Sequence, residues 1–258
     1  MVKIHPTAVV EKGAELDEGV VVEAFSYIGS NVKIGKNTVV KQGAVIEGDT
    51  TIGEECLIFG ATIGVEPQDL KYRGEPSKVI IGNRVKIREY VTIHRGTEGG
   101  GMVTKIGDNV LLMAYSHVAH DCHIGNNVIV ANGVQLAGHV IVEDFAIIGG
   151  LTGVHQFVRI GKHAMIGGAS AVHRDVPPFT LASGNRAKLE GINIVGLKRR
   201  GFSKEEIKAL SKAFDTIFKG ELPFRVSLKE VEEKFGEYLC VKELLEFIKT
   251  SKRGICIA

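Results

Sequence analysis

Large aliphatic residues recur every six positions along most of this chain. One run keeps this spacing without a slip from Ile4 to Ile58, and later runs start at Ile81 and at Ile106, the last continuing to Val172. Four positions after each of these residues stands only Ala, Val, Ser, Thr or Cys. An α-helix repeats its apolar face every 3.6 residues and a strand alternates every two, so a period of six fits neither element alone. It is typical of a short strand followed by a tight turn, with one large and one small side chain pointing inward.

Three such sides close a triangular coil of about 18 residues, and coils stack at about 4.8 Å through parallel hydrogen bonds. Residues 1–186 are therefore expected to form an all-β solenoid, a parallel β-helix of about eight coils. Parallel crossovers are almost always right-handed, so strand physics alone favours a right-handed coil. The repeat breaks at Gly64 and again at residue 99, which predicts inserted surface loops at 64–80 and 99–105, often on the binding side of a solenoid.

Beyond residue 186 the apolar residues change to helical spacing. A Ser-x-x-Glu capping box at Ser203 predicts the start of one helix, and a second box at Ser227 predicts another. A third helix is predicted from Val241 to Ile248. Residues 187–258 are thus expected to form a small α-helical C-terminal domain, which is basic because it holds 15 Lys and Arg against 11 Asp and Glu.

Composition excludes several classes of protein. The 32 Lys and Arg against 30 Asp and Glu leave a net charge of +2, which argues against nucleic-acid binding driven by global charge. No apolar run approaches the roughly 18–20 residues that cross a bilayer, and the N-terminus lacks an apolar signal core, so we expect a cytoplasmic protein. The four cysteines form no CxxC pair, so neither a disulfide framework nor a zinc ribbon is indicated.

Histidines gather on one face of the predicted coil. Because hexads three apart share a face, five of the nine histidines are expected on one face within about four coils. These are His94, His117, His120, His139 and His155. A neutral imidazole suits the removal of a proton from a hydroxyl or amine as it attacks a thioester, so general-base catalysis is one chemistry that the cluster predicts.

Counting in steps of 18 refines this prediction. Gly138 lies 18 residues beyond His120, which places its backbone N–H one coil above that ring, where it would stabilise an oxyanion. Asp121 lies 18 residues before His139 and is expected to orient the His139 imidazole.

Two alternatives stay open at this point. One is a zinc hydratase of the β-helix carbonic anhydrase type, with the metal bound by His117, His120 and His123 or by histidines of a neighbouring subunit. The other is a purely structural β-solenoid. Nucleophilic catalysis is weaker, because Cys56 and Cys122 occupy the small inward position of their hexads and look like core residues.

Five motifs and one insert together resemble the UDP-N-acetylglucosamine acyltransferase family of hexapeptide-repeat enzymes. They are Ile93-His94-Arg95-Gly96-Thr97, His117-Val118-Ala119-His120-Asp121-Cys122, Gly138-His139-Val140, Val154-His155-Gln156-Phe157, Gly196-Leu197-Lys198-Arg199-Arg200-Gly201 and the insert Gln68-Asp69-Leu70-Lys71-Tyr72. The resemblance spans essentially the whole chain, including the helical tail. It implies a left-handed β-helix, against the right-handed expectation.

The resemblance also implies an activity. This is direct transfer of a (3R)-hydroxyacyl chain from acyl carrier protein to the 3-position of UDP-N-acetylglucosamine, the first step of lipid A biosynthesis. No covalent enzyme intermediate, cofactor or metal is expected, and the enzyme would be a homotrimer with active sites between subunits. A 3-amino-sugar nucleotide as acceptor remains an alternative within the family.

Residue roles follow from the same resemblance. His120 would be the general base and Gly138 the oxyanion donor. The sugar and the reacting end of the acyl chain would be held by Gln68, Asp69, Lys71, His94, His117 and His139. The uridine diphosphate would be held by His155, Gln156, Asn193, Arg199 and Arg200, and acyl-chain length would be set at Gly168. The chain departs from close relatives at Val195 and Arg186, where they often have Glu and His.

Overall fold

The computed structural model describes all 258 residues, and most of them form a parallel β-helix of short strands on three faces. Face A contains β1 (Lys3–Ile4), β4 (Val21–Val22), β7 (Val39–Val40), β10 (Leu57–Ile58), β13 (Lys86–Ile87), β16 (Leu111–Leu112), β19 (Ile129–Val130), β22 (Ile147–Ile148), β25 (Met165–Ile166), β27 (Thr180–Ser183) and β28 (Lys188–Ile192). Face B contains β2 (Val9–Val10), β5 (Tyr27–Ile28), β8 (Val45–Ile46), β11 (Thr62–Val65), β14 (Thr92–His94), β17 (His117–Val118), β20 (Gln135–Leu136), β23 (Gly153–Val154) and β26 (Ala171–Val172). Face C contains β3 (Glu15–Leu16), β6 (Val32–Ile34), β9 (Asp49–Ile52), β12 (Lys78–Ile81), β15 (Val103–Ile106), β18 (His123–Ile124), β21 (Ile141–Val142) and β24 (Arg159–Ile160).

The core is a set of aliphatic stacks that run along the axis of the helix. On face B, Ile46 pairs with Ile63 and Ile63 with Ile93, and all three side chains are fully buried. Burial of a Val or Ile side chain stabilises a fold by roughly 1.5–3 kcal/mol. Repetition of this contact in every coil is what the period of six encodes.

The coil is left-handed, as the family resemblance implied and not as the general rule for crossovers suggested. That rule arises where a twisted strand returns to its own sheet through a long crossover. Strands of two residues accumulate little twist, so the rule has little hold here. The turns instead use residues with positive φ, among them Asn37, Asn109 and Asn127, a residue type that tolerates this region.

The repeat slips earlier than the sequence indicated. The step from Ile58 to Ile63 has five residues, and Ala61 and Ile63 are the buried pair of this side, so the expected break at Gly64 and the inward position assigned to Thr62 were wrong. Similarly, Thr104 and not Thr97 takes the small inward position before Ile106. Thr104 pairs with buried Val79 and has no exposed surface. Thr97 is therefore free for another role.

The β-helix ends in an antiparallel pair, β27 with β28, and four helices follow. They are α1 (Ile194–Arg199), α2 (Lys204–Phe218), α3 (Phe224–Phe235) and α4 (Leu239–Thr250). The capping box at Ser203 is present, but Ser227 lies inside α3 and bonds the Phe224 carbonyl, so the second predicted box was wrong. The proposed domain boundary at 186/187 falls in the turn between β27 and β28. None of the helices has the length and apolarity required to span a membrane.

Candidate active site

His120 and Asp121 form the centre of the histidine cluster, at the corner between faces B and C. His120 Nδ1 lies 2.8 Å from Asp121 Oδ2, whereas His139 Nδ1 lies 3.9 Å from the same oxygen. The expectation that Asp121 orients His139 was therefore wrong, and its hydrogen-bond partner is the adjacent His120. Since an ionised carboxylate only accepts, the His120 proton lies on Nδ1 and the Nε2 lone pair is free. That is the arrangement required of a general base.

Asp121 is itself held from the second insertion. Its buried carboxylate accepts hydrogen bonds from the Thr97 backbone N–H (2.9 Å) and from the Thr97 hydroxyl (2.6 Å). A Cβ at Gly100 would collide with the Asp121 carboxyl group, so the insertion packs its bare backbone onto that side chain. The glycine-rich sequence of residues 99–101 is thus explained by close approach to Asp121. The role of Thr97 escaped the sequence analysis because the repeat count assigned it to the core.

Gly138 lies directly beside the free nitrogen of His120. A Cβ built on Gly138 would lie 2.5 Å from His120 Cε1 and 2.6 Å from Nε2. The ladder hydrogen bonds around it are donated by Ala137 and His139, and the Gly138 N–H donates to no group of the chain. A free backbone donor therefore stands next to the free acceptor of the base.

His94 and His117 extend the cluster one coil further down face B. Their ring centroids are 4.8 Å apart in an edge-to-face arrangement, and His117 Nδ1 is 2.7 Å from the Thr92 hydroxyl. Burial lowers the pKa of His94 to about 4, with smaller contributions from His117 and His120, and burial also lowers the pKa of His117. Both rings are therefore neutral at neutral pH and act as hydrogen-bonding groups without charge.

His139 continues the corner column above Asp121. It stacks on Phe157 with centroids 4.4 Å apart and meets the His120 ring edge-to-face at 5.0 Å. Burial is the main cause that lowers the pKa of His139, and the Asp121 and Asp69 carboxylates oppose it. The effect of Asp69 places the first insertion near this ring. Gln68, Asp69 and Lys71 thus belong to an exposed loop beside the cluster, with the Lys71 N–H bonded to Asp69.

His155 and Gln156 lie on exposed turns at the upper end of face B. A groove of about 770 Å³ runs from His117 past Gly153 and Ala171 to Arg186, with His155 on its wall.

Gly168 belongs to a column of residues separate from this groove. A Cβ there would meet the Gly150 carbonyl at 3.2 Å, which agrees with the predicted alignment of these two glycines in successive coils.

Asn193, Arg199 and Arg200 lie at a different corner. Asn193 caps α1 and donates to the His163 carbonyl, and Arg200 lies 4.6 Å above the ring of Phe145. Phe145 and His163 occupy turns between faces C and A, whereas His120 lies between faces B and C. One chain therefore does not bring all the predicted site residues together.

The zinc ligand set left open by the sequence is not assembled. His123 lies on face C, whereas His117 lies on face B. The donor atoms that do lie within 4.8 Å of one another belong to His120, Asp121 and His139. The cysteines are core residues, as predicted, and burial raises the pKa of Cys122 to about 12, so its thiol stays protonated.

Comparison with known proteins agrees with this site. A family model described as UDP N-acetylglucosamine O-acyltransferase, domain 2, matches residues 175–256, and a bacterial transferase hexapeptide model of six repeats matches residues 104–138. An acyl-[acyl-carrier-protein]–UDP-N-acetylglucosamine O-acyltransferase of Thermodesulfovibrio yellowstonii is 54% identical over 257 residues, which cover 99% of this chain and 100% of the relative. The chain belongs to the UDP-N-acetylglucosamine O-acyltransferase family.

Other members of this family have the same fold. A relative of the same description from Burkholderia orbicola is 50% identical over 260 residues, 99% of each chain. The solved UDP-N-acetylglucosamine acyltransferase of Campylobacter jejuni is 48% identical with a TM-score of 0.94, and the match covers 99% of this chain and 100% of that one. The chain is thus an acyltransferase, and the resemblance read from its motifs is confirmed.

Two residues of this acyltransferase site were not identified from the sequence as site residues. Phe157 stood in a quoted motif, but its stacking on His139 follows from an 18-residue step that was not applied to it. Arg253 comes from the chain segment after α4 and carries no repeat signal. Its guanidinium lies 2.8 Å from His155 Nδ1.

Proposed function

We propose that the chain transfers a (3R)-hydroxyacyl group from acyl carrier protein to the 3-hydroxyl of UDP-N-acetylglucosamine, as the first step of lipid A biosynthesis. The printed names of its relatives support the substrates. The observation that carries the chemistry is the His120–Asp121 pair with the unbonded Gly138 N–H beside the free nitrogen of His120.

The reaction follows from that geometry. His120 Nε2 takes the proton of the sugar hydroxyl while the hydroxyl oxygen bonds to the thioester carbon. The carbonyl oxygen gains the electron pair, and the Gly138 N–H donates to it; one such donor lowers a barrier by about 3 kcal/mol in other enzymes. The C–S bond then breaks, the carbonyl reforms, and the leaving thiolate takes the proton from His120. Asp121 accepts from Nδ1 throughout and stabilises the transient imidazolium.

The surrounding groups hold the reacting ends without adding charge. His94 and His117 are kept neutral by burial, so they offer one donor and one acceptor each to sugar hydroxyls or the acyl chain. The inserted loop adds Gln68, Asp69 and Lys71 near the His139 ring. We assign the acyl-length role to Gly168, because a side chain there would enter the space over Gly150.

The nucleotide residues imply a neighbouring subunit. Asn193, Arg199 and Arg200 lie at the corner between faces C and A, away from His120. We propose that they reach the site from the next subunit of a homotrimer. Guanidinium groups suit diphosphate oxygens because their planar donors meet two oxygens at once. Gel filtration with light scattering would overturn this assignment if the active species were a monomer.

The decisive experiment is an assay with UDP-N-acetylglucosamine and 3-hydroxymyristoyl carrier protein, followed by mass spectrometry. Wild type should form the acylated sugar nucleotide, and His120→Ala should form none while it keeps the fold by circular dichroism. Product from His120→Ala at the wild-type rate would exclude His120 as the base. Absence of product from wild type, with product from a 3-amino-sugar nucleotide, would assign the amino acceptor instead.

A further inference from the structure

The chain segment after α4, residues 251–257, is bound along the end of the β-helix. The Ser251 hydroxyl donates to Asp175, the Asp175 N–H donates to the Gly254 carbonyl at 2.9 Å, and the Cys256 N–H donates back to Asp175 at 2.8 Å. The Leu189 N–H reaches the Ile257 carbonyl at 3.0 Å. These contacts fix the segment from both sides and leave one side chain between them, Arg253, over the groove on face B.

Arg253 holds a histidine of the site. Its Nε donates to the His173 carbonyl at 3.0 Å, and its Nη2 lies 2.8 Å from His155 Nδ1. A guanidinium has no acceptor atom, so Nδ1 must accept and the ring proton lies on Nε2. The Gln156 carbonyl lies 3.2 Å from the same Nδ1. That contact cannot be a hydrogen bond in this tautomer, because both atoms are then acceptors.

The charge of Arg253 is not balanced by the protein. Its side chain is half-buried, and no carboxylate of the chain lies within ion-pair distance of it. The groove that it lines also contains Arg186, His155 and His173, and none of its lining residues is Asp or Glu. A guanidinium withdrawn from water without a carboxylate is favourable where a ligand supplies the anion.

We propose that Arg253 is a positioning residue that fixes His155 with its Nε2–H as donor, and that the two form a subsite for a phosphate oxygen of a substrate. The inference rests on the proposed function for the identity of that substrate. The phosphate is either the diphosphate of the sugar nucleotide or the phosphodiester of the prosthetic arm of acyl carrier protein. Both present the same oxygens to a guanidinium, so binding experiments must distinguish them.

The test compares Arg253→Gln and Arg253→Lys with Arg174→Gln. Arg174 is an exposed arginine of the neighbouring turn whose side chain makes no hydrogen bond, so it controls for loss of charge. Each protein is titrated calorimetrically with UDP and with 4′-phosphopantetheine. Arg253→Gln should weaken one of these two ligands about 10- to 100-fold, as expected for a hydrogen bond to a charged group. The ligand that is weakened identifies the source of the phosphate, and Arg174→Gln should weaken neither.

The positioning role has its own measurement. Nitrogen NMR of ¹⁵N-histidine protein, assigned with His155→Gln, should show wild-type His155 protonated on Nε2 and a mixture of tautomers in Arg253→Gln. An unchanged tautomer would refute the positioning role, and unchanged affinity for both ligands would refute the subsite. If Arg253→Gln does not fold, Arg253→Lys decides, because it keeps the charge but not the planar fork and should still lose affinity. Neither measurement uses turnover, so failure of the proposed function would appear separately, as absent product from wild type.

Discussion

Substitution of Gly138 by Ala is the sharpest perturbation of the base. The added Cβ would lie 2.5 Å from His120 Cε1, whereas real Cβ atoms essentially never approach another atom closer than 3.0 Å. The Gly138 backbone is held by hydrogen bonds of both neighbouring residues, so the imidazole must move, by roughly 1 Å to regain an ordinary contact. A displacement of that size costs about 100-fold in rate, equivalent to about 2.7 kcal/mol.

The assay is kcat at saturating substrates, with Gly191→Ala as the matched control. Gly191 has open space where its Cβ would lie, so the same chemical change should leave kcat within about twofold. A double-mutant cycle on thermal stability adds a second test. The destabilisation by Gly138→Ala, about 1–3 kcal/mol for an overpacked site, should disappear in His120→Ala, where the ring is gone. Wild-type kcat in Gly138→Ala would refute the reasoning.

Three further predictions concern the same site. Asp121→Asn should lower kcat by about two to four orders of magnitude with little change in KM, as loss of an orienting carboxylate does in other enzymes, and an unchanged kcat would show that Asp121 is only structural. Because burial lowers the pKa of His94 from its ordinary 6.5 to about 4, the unfolded chain binds its proton first as pH falls. The stability contribution of neutral His94 is therefore complete above pH 6.5 and is lost between 6.5 and 4, so urea midpoints should fall across that window, and less steeply in His94→Gln. Gly168→Met should shift the acyl preference to shorter chains by filling the space over Gly150; competition between carrier proteins of different acyl length measures this, and an unchanged preference would remove Gly168 from the groove.

The repeat made the backbone of the site predictable but not its hydrogen bonds. A step of 18 residues placed Gly138 correctly against His120, because the ladder fixes Cα positions. The same step paired Asp121 with His139, and this was wrong because side-chain direction at a corner depends on φ, which is 59° at Asp121. The contact that decided the pairing came from Thr97 in an insertion, where no period applies.

Two other failures have the same physical origin. The five-residue step to Ile63 keeps the inward side chain but shortens the turn, and aliphatic residues at both positions conceal this in the sequence. Arg253 reaches His155 from a segment 98 residues further along the chain, held by backbone hydrogen bonds that any sequence can make. Patterns reveal structure that repeats, and these contacts occur once.

The order of synthesis bears on the segment after α4. In a β-helix each coil rests mainly on the coil before it, so folding can advance from the first coil as the chain leaves the ribosome. The coils that carry His120 and Gly138 can form while the helical tail is still being made. Residues 251–257 emerge last, and only then can Arg253 meet His155. A nascent chain therefore completes its catalytic pair before it can order this end of the groove, and the final stage of translation is also the final stage of site assembly.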